Sequence, residues 1–347
     1  MVRDDSGVAR RASGVRDAWL ATRQEPILEP QLAIVDPHHH LWEFPRHRYL
    51  LADLLADIGS GHHILSTVFV ECTACYRAEG PAELRSLGET EFANGIAAMA
   101  ASGAYGATAV AKGIVGMVDL TLGARVEEVL CRHMSAAGPR FKGVRHAAGW
   151  DPSGSIRNSH TYPPRHLYRD HADFRAGFAV LGRLGLTFDA WLYHPQIPDL
   201  TALARAFPGQ PIILDHVGGP LGIGPYRGRE ADTFAAWKRA MLELAACPNV
   251  VVKLGGLGMG ITGFGFHRRP QPPTSAELAD SWRPYVETCI TQFGPSRCMF
   301  ESNFPVDKIS APYAVYWNAF KRLAAGASEH EKAALFRTTA ERCYRLL

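Results

Sequence analysis

Three consecutive histidines, His38, His39 and His40, follow Asp36-Pro37 at the end of a short apolar run, and Leu41-Trp42 close the segment. Side chains alternate along a strand, so His38 and His40 share a face. If that face is the interior, two imidazoles meet at one place, where they can grip a metal or polarise a carbonyl. The plain alternative is a chance cluster of loop histidines. Other apolar runs also end in polar groups: Glu71, Arg145-His146, Asp215-His216 and Glu301-Ser302-Asn303. Glu301 and Asn303 are two residues apart and share a face for the same reason. Trp42, Tyr76 and Tyr226 suit the walls of a ring-shaped substrate, and His146, Tyr193, His194, Lys253 and Asp307 are further candidates for substrate contact. Arg145, Lys253 and Arg268 would suit a carboxylated substrate, since arginine takes a carboxylate in a bidentate fork.

These groups need elements that bring them together. Eight apolar runs read as strands: Ala33–Pro37, Ser66–Glu71, Ala107–Val115, Phe141–Arg145, Leu186–Tyr193, Pro211–Asp215, Val250–Leu254 and Cys298–Ser302. Several are nearly continuous and β-branched, as strands covered on both faces should be. Helical spacing marks Glu89–Ser102, Leu122–Ala136, Phe174–Leu184, Pro198–Phe207, Thr233–Ala246, Ser275–Phe293, Pro312–Ala324 and Ser328–Leu346. Thr274 and Ser328, each three residues before a Glu, are helix-start signals. Alternating strands and helices imply a parallel sheet, and eight repeats imply a closed (β/α)8 TIM barrel. Such a barrel needs about 250 residues. A chain of 347 residues leaves room for an N-terminal arm over 1–30, lying on the barrel or at an oligomer contact, and one barrel domain over 31–347. Three Gly- and Pro-rich segments, Gly149–Pro164, Gly218–Gly228 and Gly255–Pro273, follow strands and so fall on the C-terminal face, where barrel active sites lie. Gly255–Gly260 lacks the Lys-Ser/Thr of a phosphate loop and reads as a flexible active-site loop.

Composition excludes several functions. A formal charge of +3, from 37 basic and 34 acidic residues, is too balanced for a nucleic-acid or anionic-membrane surface. No run of about 18 apolar residues exists to span a bilayer. Seven scattered cysteines without a secretory signal read as reduced thiols in a cytoplasmic protein. Cys72-Thr73-Ala74-Cys75 is formally C-x-x-C but has neither a second pair nor a thioredoxin-like context.

The segment Asp36-Pro37-His38-His39-His40-Leu41-Trp42 resembles the opening motif of the amidohydrolase superfamily, and within it the branch that includes pyrone-dicarboxylate and sugar lactonases. Phe141–His146, Leu214–Gly218 and Arg297–Pro305 resemble that branch's fourth-, sixth- and eighth-strand motifs, so the likeness runs over about residues 31–347. It implies that His38 and His40 are the first-strand pair, His216 the sixth-strand histidine and Arg145 a substrate-binding arginine. It also implies hydrolysis of a small lactone or cyclic ester, with carboxylated rings among the candidate substrates, and either no cofactor or one divalent metal (Zn or Mn) on His38, His40 and His216. A lyase acting on a small carboxylic acid, and a barrel that only binds a ligand, are the other readings. The chain departs from the family at one important place. Where the eighth strand usually carries an Asp it has Asn303, which cannot deprotonate water. The base would then be Glu301, in place of the family's Gly, or Glu71. Alternatively Glu301 forms a buried salt bridge with Lys253 or Arg145.

Overall fold

The computed structural model describes residues 13–44, 47–158 and 165–346. Eight strands form one parallel sheet in sequence order: β1 (Ala33–His39), β2 (His63–Val70), β3 (Ala109–Gly116), β4 (Phe141–Arg145), β5 (Thr187–Ala190), β6 (Ile212–Leu214), β7 (Val250–Leu254) and β8 (Cys298–Phe300). The ring closes just beyond β8. There His39 pairs with Phe304, the His40 N–H donates to the Phe304 carbonyl at 2.8 Å, and the Asn303 N–H donates to the His38 carbonyl at 3.0 Å. Each strand leads to a helix: Leu51–Ile58, Leu87–Ala101, Val126–Ala137, Ala172–Arg183, Ile197–Ala206, Glu230–Ala245, Ser275–Phe293 and Tyr313–Leu323. The protein is a (β/α)8 TIM barrel.

The helices form where apolar residues recur on one face. Along Ser275–Phe293, Leu278, Trp282, Val286, Cys289 and Phe293 are buried, one per turn, and Thr274 and Glu277 cap its start reciprocally. The helix Leu51–Ile58 and the small hairpin Trp42–Phe44/His47–Tyr49 between it and β1 were not expected from the sequence. Both are short, and the hairpin's polar spacing hides its period. β5, β6 and β8 end earlier than expected, whereas β1 runs on to His39. β5 stops at Ala190 because Trp191 turns its carbonyl to the Ala148 N–H (2.7 Å), and Tyr193 then leads into the turn His194–Gln196.

The two mouths of the barrel differ. At the N-terminal mouth, Ala340, Tyr344 and Leu346 from the C-terminal helical segment pack against Val35, Val68, Val70, Val115, Ile213 and Met299, which point in from five strands. The Tyr344 hydroxyl donates to Asp189 at 2.6 Å, joining this apolar plug to the polar layer above it. The other mouth carries the long loops. The loops after β6 and β7 dock backbone to backbone, with the Gly222 N–H on the Ile261 carbonyl at 2.8 Å. Over them lies the described part of the N-terminal segment. Trp19 Nε1 donates to the Arg269 carbonyl (3.1 Å) and Arg23 Nε to the Pro272 carbonyl (2.9 Å). Residues 1–12 of the expected arm and 159–164 of the expected Gly149–Pro164 loop lie outside the described residues. No helix among the described residues is long and apolar enough to cross a membrane.

The plug makes a stability prediction. Tyr344→Ala removes a fully buried ring and leaves Asp189 without its phenol, so it should cost about 3–5 kcal/mol, as large aromatic truncations do. Urea unfolding checks this, and a loss below about 1 kcal/mol would mean that the plug is not part of the cooperative core.

Candidate active site

Pro37 cannot donate to the sheet, and the β1–β2 register shifts between Asp36 and His39. This break divides the histidines. His39 turns outward to Thr67 Oγ1 (2.9 Å) and Phe69, and burial takes its pKa down to about 3. His38 and His40 turn inward, with their Nε2 atoms 3.2 Å apart. Asp36 pins the break by accepting from the N–H groups of His38 and Ser302 and from the Tyr313 hydroxyl.

Glu301 is fully buried and occupies the centre of the site. One carboxylate oxygen lies 2.7 Å from His38 Nδ1, and the other accepts from His216 Nδ1 (2.7 Å) and the His216 N–H (3.0 Å). Burial alone would raise the Glu301 carboxyl, but the His216 and His38 rings on its two oxygens outweigh that and bring it down to about 2. The contact with Glu301 places a hydrogen on His216 Nδ1 and leaves its Nε2 a lone pair, whereas His38 Nδ1 faces both Glu301 and the Lys253 ammonium, at 3.2 Å. For His40 the Val70 carbonyl, at 2.7 Å, places a hydrogen on Nδ1. Burial holds both His38 and His40 below the ordinary histidine pKa, His40 well below, so both are neutral.

Beneath this layer the charges are paired. Lys253 Nζ lies 2.7 Å from Asp189 and 3.0 Å from Asp215. Arg145 donates through Nε to Glu71 (2.7 Å), through Nη1 to Asp215 (3.3 Å), and through Nη2 to the Glu71 carbonyl. Burial by itself would lower Lys253, but Asp189 and Asp215 hold it above its ordinary value. Burial raises Asp189 to about 6 against the pull of Lys253. The expected salt bridge of Glu301 with Lys253 or Arg145 is therefore not what forms, because closer carboxylates take both cations and Glu301 takes two imidazoles.

A cavity of ≈ 240 Å³ opens above the histidines, lined by His40, Arg145, His216 and Asn303 with Trp42, Cys72, Trp191, Met259 and Val306. Several expected contacts point elsewhere. His146 Nδ1 accepts from the Leu120 N–H and its ring packs on Phe174. His194 accepts from the Leu221 N–H beside Tyr226. Tyr193 reaches the Arg157 carbonyl. Lys253 lies below the imidazoles, and Glu71 is held by Arg145 with 2% of its surface exposed. Tyr76 sits near Glu71 and Glu89 and is not part of the cavity lining. Asp307 lies behind Asn303, accepting from Asn303 Nδ2 (2.9 Å) and the Gly258 N–H (3.1 Å). Trp191 was legible, two residues beyond Asp189 on an alternating run. Cys72, Met259 and Val306 carry no signal in the sequence.

The Gly255–Gly260 segment is also different from expectation. It is a fitted backbone rather than a flexible loop, and Gly255–Gly258 are buried. A Cβ on Gly255 would overlap Glu301, one on Gly256 (φ +67°) would overlap the His216 ring, and one on Gly258 would overlap Tyr316. On the other side of His216 the backbone is strained. His216 and Val217 have φ of +56° and +47°, a region that a β-branched residue avoids, and Trp237 Nε1 holds the Val217 carbonyl at 2.7 Å.

The donor set bears on a metal. His38 Nε2, His40 Nε2 and Asn303 Oδ1 converge, and His40 Nε2 lies 3.2 Å from each of the other two. Converging ligand atoms of this kind suit a cation between them. These three atoms fit a divalent metal. His38, Asp215 and His216 also offer donor atoms within 4.8 Å of one another, but Lys253 and Arg145 already neutralise Asp215. His216 was expected as the third ligand. Its Nδ1 is committed to Glu301, which leaves its Nε2 on the cavity side, while Asn303 stands beside His40.

Residues 35–346 match the protein family described as amidohydrolase. An uncharacterized protein of Sinorhizobium fredii is 33% identical over 337 residues, covering 91% of this chain and 99% of that protein. An L-fucono-1,5-lactonase of Burkholderia multivorans is 28% identical over 327 residues, covering 90% and 96%. Among solved structures, an amidohydrolase from Burkholderia multivorans with bound zinc superposes with a TM-score of 0.68 at 25% identity, covering 91% of this chain and all of that one.

Two predictions follow from the Glu301 bridge and its glycine cradle. A carboxyl held at about 2 when folded, against an ordinary 4.5, stabilises the fold above the unfolded value and loses that contribution as pH falls toward 2. Urea midpoints measured downward from pH 6 should therefore fall less steeply for Glu301→Gln than for the wild type. Equal slopes would show that Glu301 is not held down. Separately, Gly256→Ala should displace His216 and lower kcat by about 100-fold, as small misplacements of a reacting group do, with circular dichroism unchanged. Wild-type kcat in that variant would remove the cradle from the site's design.

Proposed function

The chain belongs to the amidohydrolase family and is a hydrolase, and from that premise we propose that it opens the ring ester of a small, uncharged, polyhydroxylated lactone. The observation that carries this reading is the Glu301 bridge, which orients the His216 imidazole by its Nδ1 and leaves its Nε2 for the cavity that His216 lines. The lactonase relative supports the substrate class. The paired charges argue against a carboxylated substrate. Among the described residues, Arg145 is the cavity-lining cation, and Glu71 and Asp215 already hold it, while Lys253 is fully buried between Asp189 and Asp215.

In the proposed reaction, His216 is the general base. Its Nε2 takes a proton from a water in the cavity, and Glu301, on Nδ1, fixes the tautomer and stabilises the imidazolium that forms, as the carboxylate does in a Ser-His-Asp triad. The water oxygen adds to the lactone carbonyl carbon. Arg145, at the edge of the cavity, offers positive charge to the oxyanion. Collapse of the tetrahedral species breaks the ring C–O bond, and the departing alkoxide takes the proton back from His216. The product is the open hydroxy acid. If a divalent metal is bound, His38, His40 and Asn303 would hold it, and it would supply Lewis-acid polarisation and a more acidic water. Glu301 and Glu71 were the candidates to replace the missing eighth-strand Asp as base. In this reading Glu301 acts through His216, and Glu71 positions Arg145.

Acid release in weakly buffered indicator, across sugar lactones, muconolactones and pyrone carboxylates, tests the proposal. Sugar lactones should be opened and pyrone dicarboxylates left intact. His216→Asn should lower kcat by about 10²–10⁴-fold, the usual contribution of a positioned general base. Silence on every lactone, or a His216→Asn variant within about threefold of wild type, would overturn the reading. Repeating the panel after chelation, with metal content measured by mass spectrometry, determines whether the His38–His40–Asn303 set carries a metal in the working enzyme.

A further inference from the structure

The hairpin Trp42–Phe44/His47–Tyr49 between β1 and its helix has no role in the chemistry above, yet its first residue lines the reaction cavity. Trp42 is 8% exposed and continues a row of rings, with His40 at 6.0 Å and 26° and Phe44 at 5.9 Å and 27° between centroids and planes. Stacking alone leaves an indole free to slide in its plane. Its one polar atom removes that freedom, since Trp42 Nε1–H donates to His47 Nδ1 at 2.6 Å. His47 comes from the opposite strand of the hairpin, where Phe44 pairs with it and Trp42 pairs with Tyr49. That second strand is tied down in turn. The Tyr49 hydroxyl donates to Asp57 at 2.7 Å, Lys308 from the loop after β8 donates to the same carboxylate at 2.8 Å, and the Lys308 ammonium sits 5.5 Å from the centre of the Tyr49 ring. The indole is therefore held through two elements by a residue that is not itself part of the cavity lining.

We propose that His47 is a specificity-positioning residue: by fixing the Trp42 indole in the wall of the reaction cavity, it limits the site to small six-membered polyhydroxylated lactones and excludes rings with bulky substituents. This deepens the lactonase reading and rests on it for the substrate. Three observations support it. The cavity is small, at ≈ 240 Å³. Its walls are two indoles, Trp42 and Trp191, and Trp191 is braced against the His216 ring at 4.8 Å and 75°. Trp42 stacks beside His40, so a shift of the indole moves the wall next to the reacting groups. His47 acts only through Trp42, so its loss should change which ring fits and leave the chemical step alone.

The test compares kcat and KM for an unsubstituted sugar 1,5-lactone and for the same lactone carrying a bulky O-alkyl group. The proteins are wild type, His47→Ala, His47→Asn and Trp42→Phe, the last also combined with His47→Ala. His47→Ala should narrow the small-to-bulky ratio of kcat/KM at least tenfold, through KM, with kcat for the small lactone within about threefold of wild type. His47→Asn, whose side-chain oxygen can accept the indole N–H, should restore most of the ratio. Trp42→Phe has no N–H to hold, so adding His47→Ala to it should change nothing further. A His47→Ala enzyme with the wild-type ratio, or a His47→Asn variant no better than Ala, overturns the inference. Binding of a polyhydroxylated δ-lactam, followed by tryptophan fluorescence, separates this from failure of the catalytic reading. If no lactone is hydrolysed, a tenfold weaker lactam affinity in His47→Ala still supports the positioning role. Unchanged affinity, or a wild type that does not bind the lactam, overturns it.

Discussion

Glu301 has no contact with solvent, and both of its oxygens are taken by imidazole nitrogens, one from β1 and one from the turn after β6. A carboxylate buried without partners would protonate or unfold its surroundings. Here two rings keep it ionised, and in return it fixes the tautomer of His216. The rest of the site follows from that exchange. His216 can present an Nε2 lone pair only because its Nδ1 is spoken for. The glycines at 255 and 256 exist because Glu301 and His216 fill the space where their side chains would be. The strained backbone at His216 and Val217 is the local cost of holding the ring there, offset by the hydrogen bond from Trp237.

Below the bridge the barrel interior is a column of alternating charge. Tyr344 meets Asp189, Asp189 meets Lys253, Lys253 meets Asp215, and Asp215 meets Arg145, which meets Glu71. These residues come from the C-terminal plug and from five strands or the residues just after them. None of them reaches neutrality alone. A column of this kind gives little net stability relative to an apolar core, but removing any one member strands its partners. Its effect on the site is electrostatic. Lys253 is consumed below the cavity, and Arg145 reaches its edge already held by Glu71 and Asp215, so the site has imidazoles, an amide and one shared guanidinium, with no spare positive charge for a substrate acid group.

The fold was legible because strands covered on both faces must be apolar runs, and eight of them can be counted. Boundaries were legible to within a few residues, and Thr274 and Ser328 marked their helix starts through capping boxes that do form. The inward pairing of His38 with His40 was legible from alternation, although Pro37 and a register shift intervene. What was not legible is which charges pair. Glu301, Lys253, Arg145, Asp189 and Asp215 come from five places in the chain, and nothing in their local spacing says that lysine and arginine will be saturated by aspartates while the glutamate goes to histidines. Such choices depend on sub-ångström differences in reach across the barrel. The same holds for His47, which is separated from the cavity by the residue it holds.

Asn303 shows how one substitution can be absorbed by such a network. With an Asp there, the mouth of the barrel would carry a second carboxylate within 3.2 Å of His40 and hydrogen-bonding distance of Asp307. Two acids so close cannot both ionise cheaply. The amide removes that conflict. Its Nδ2 satisfies Asp307, whose burial holds its own carboxyl well above the usual range, and its Oδ1 faces His40. A negative charge is found two residues earlier, in Glu301, where it acts on imidazoles from behind. With its carboxylate in the layer beneath the cavity wall, Glu301 supports the His216 ring from behind, and the glycines of the β7 loop are the steric condition for that placement.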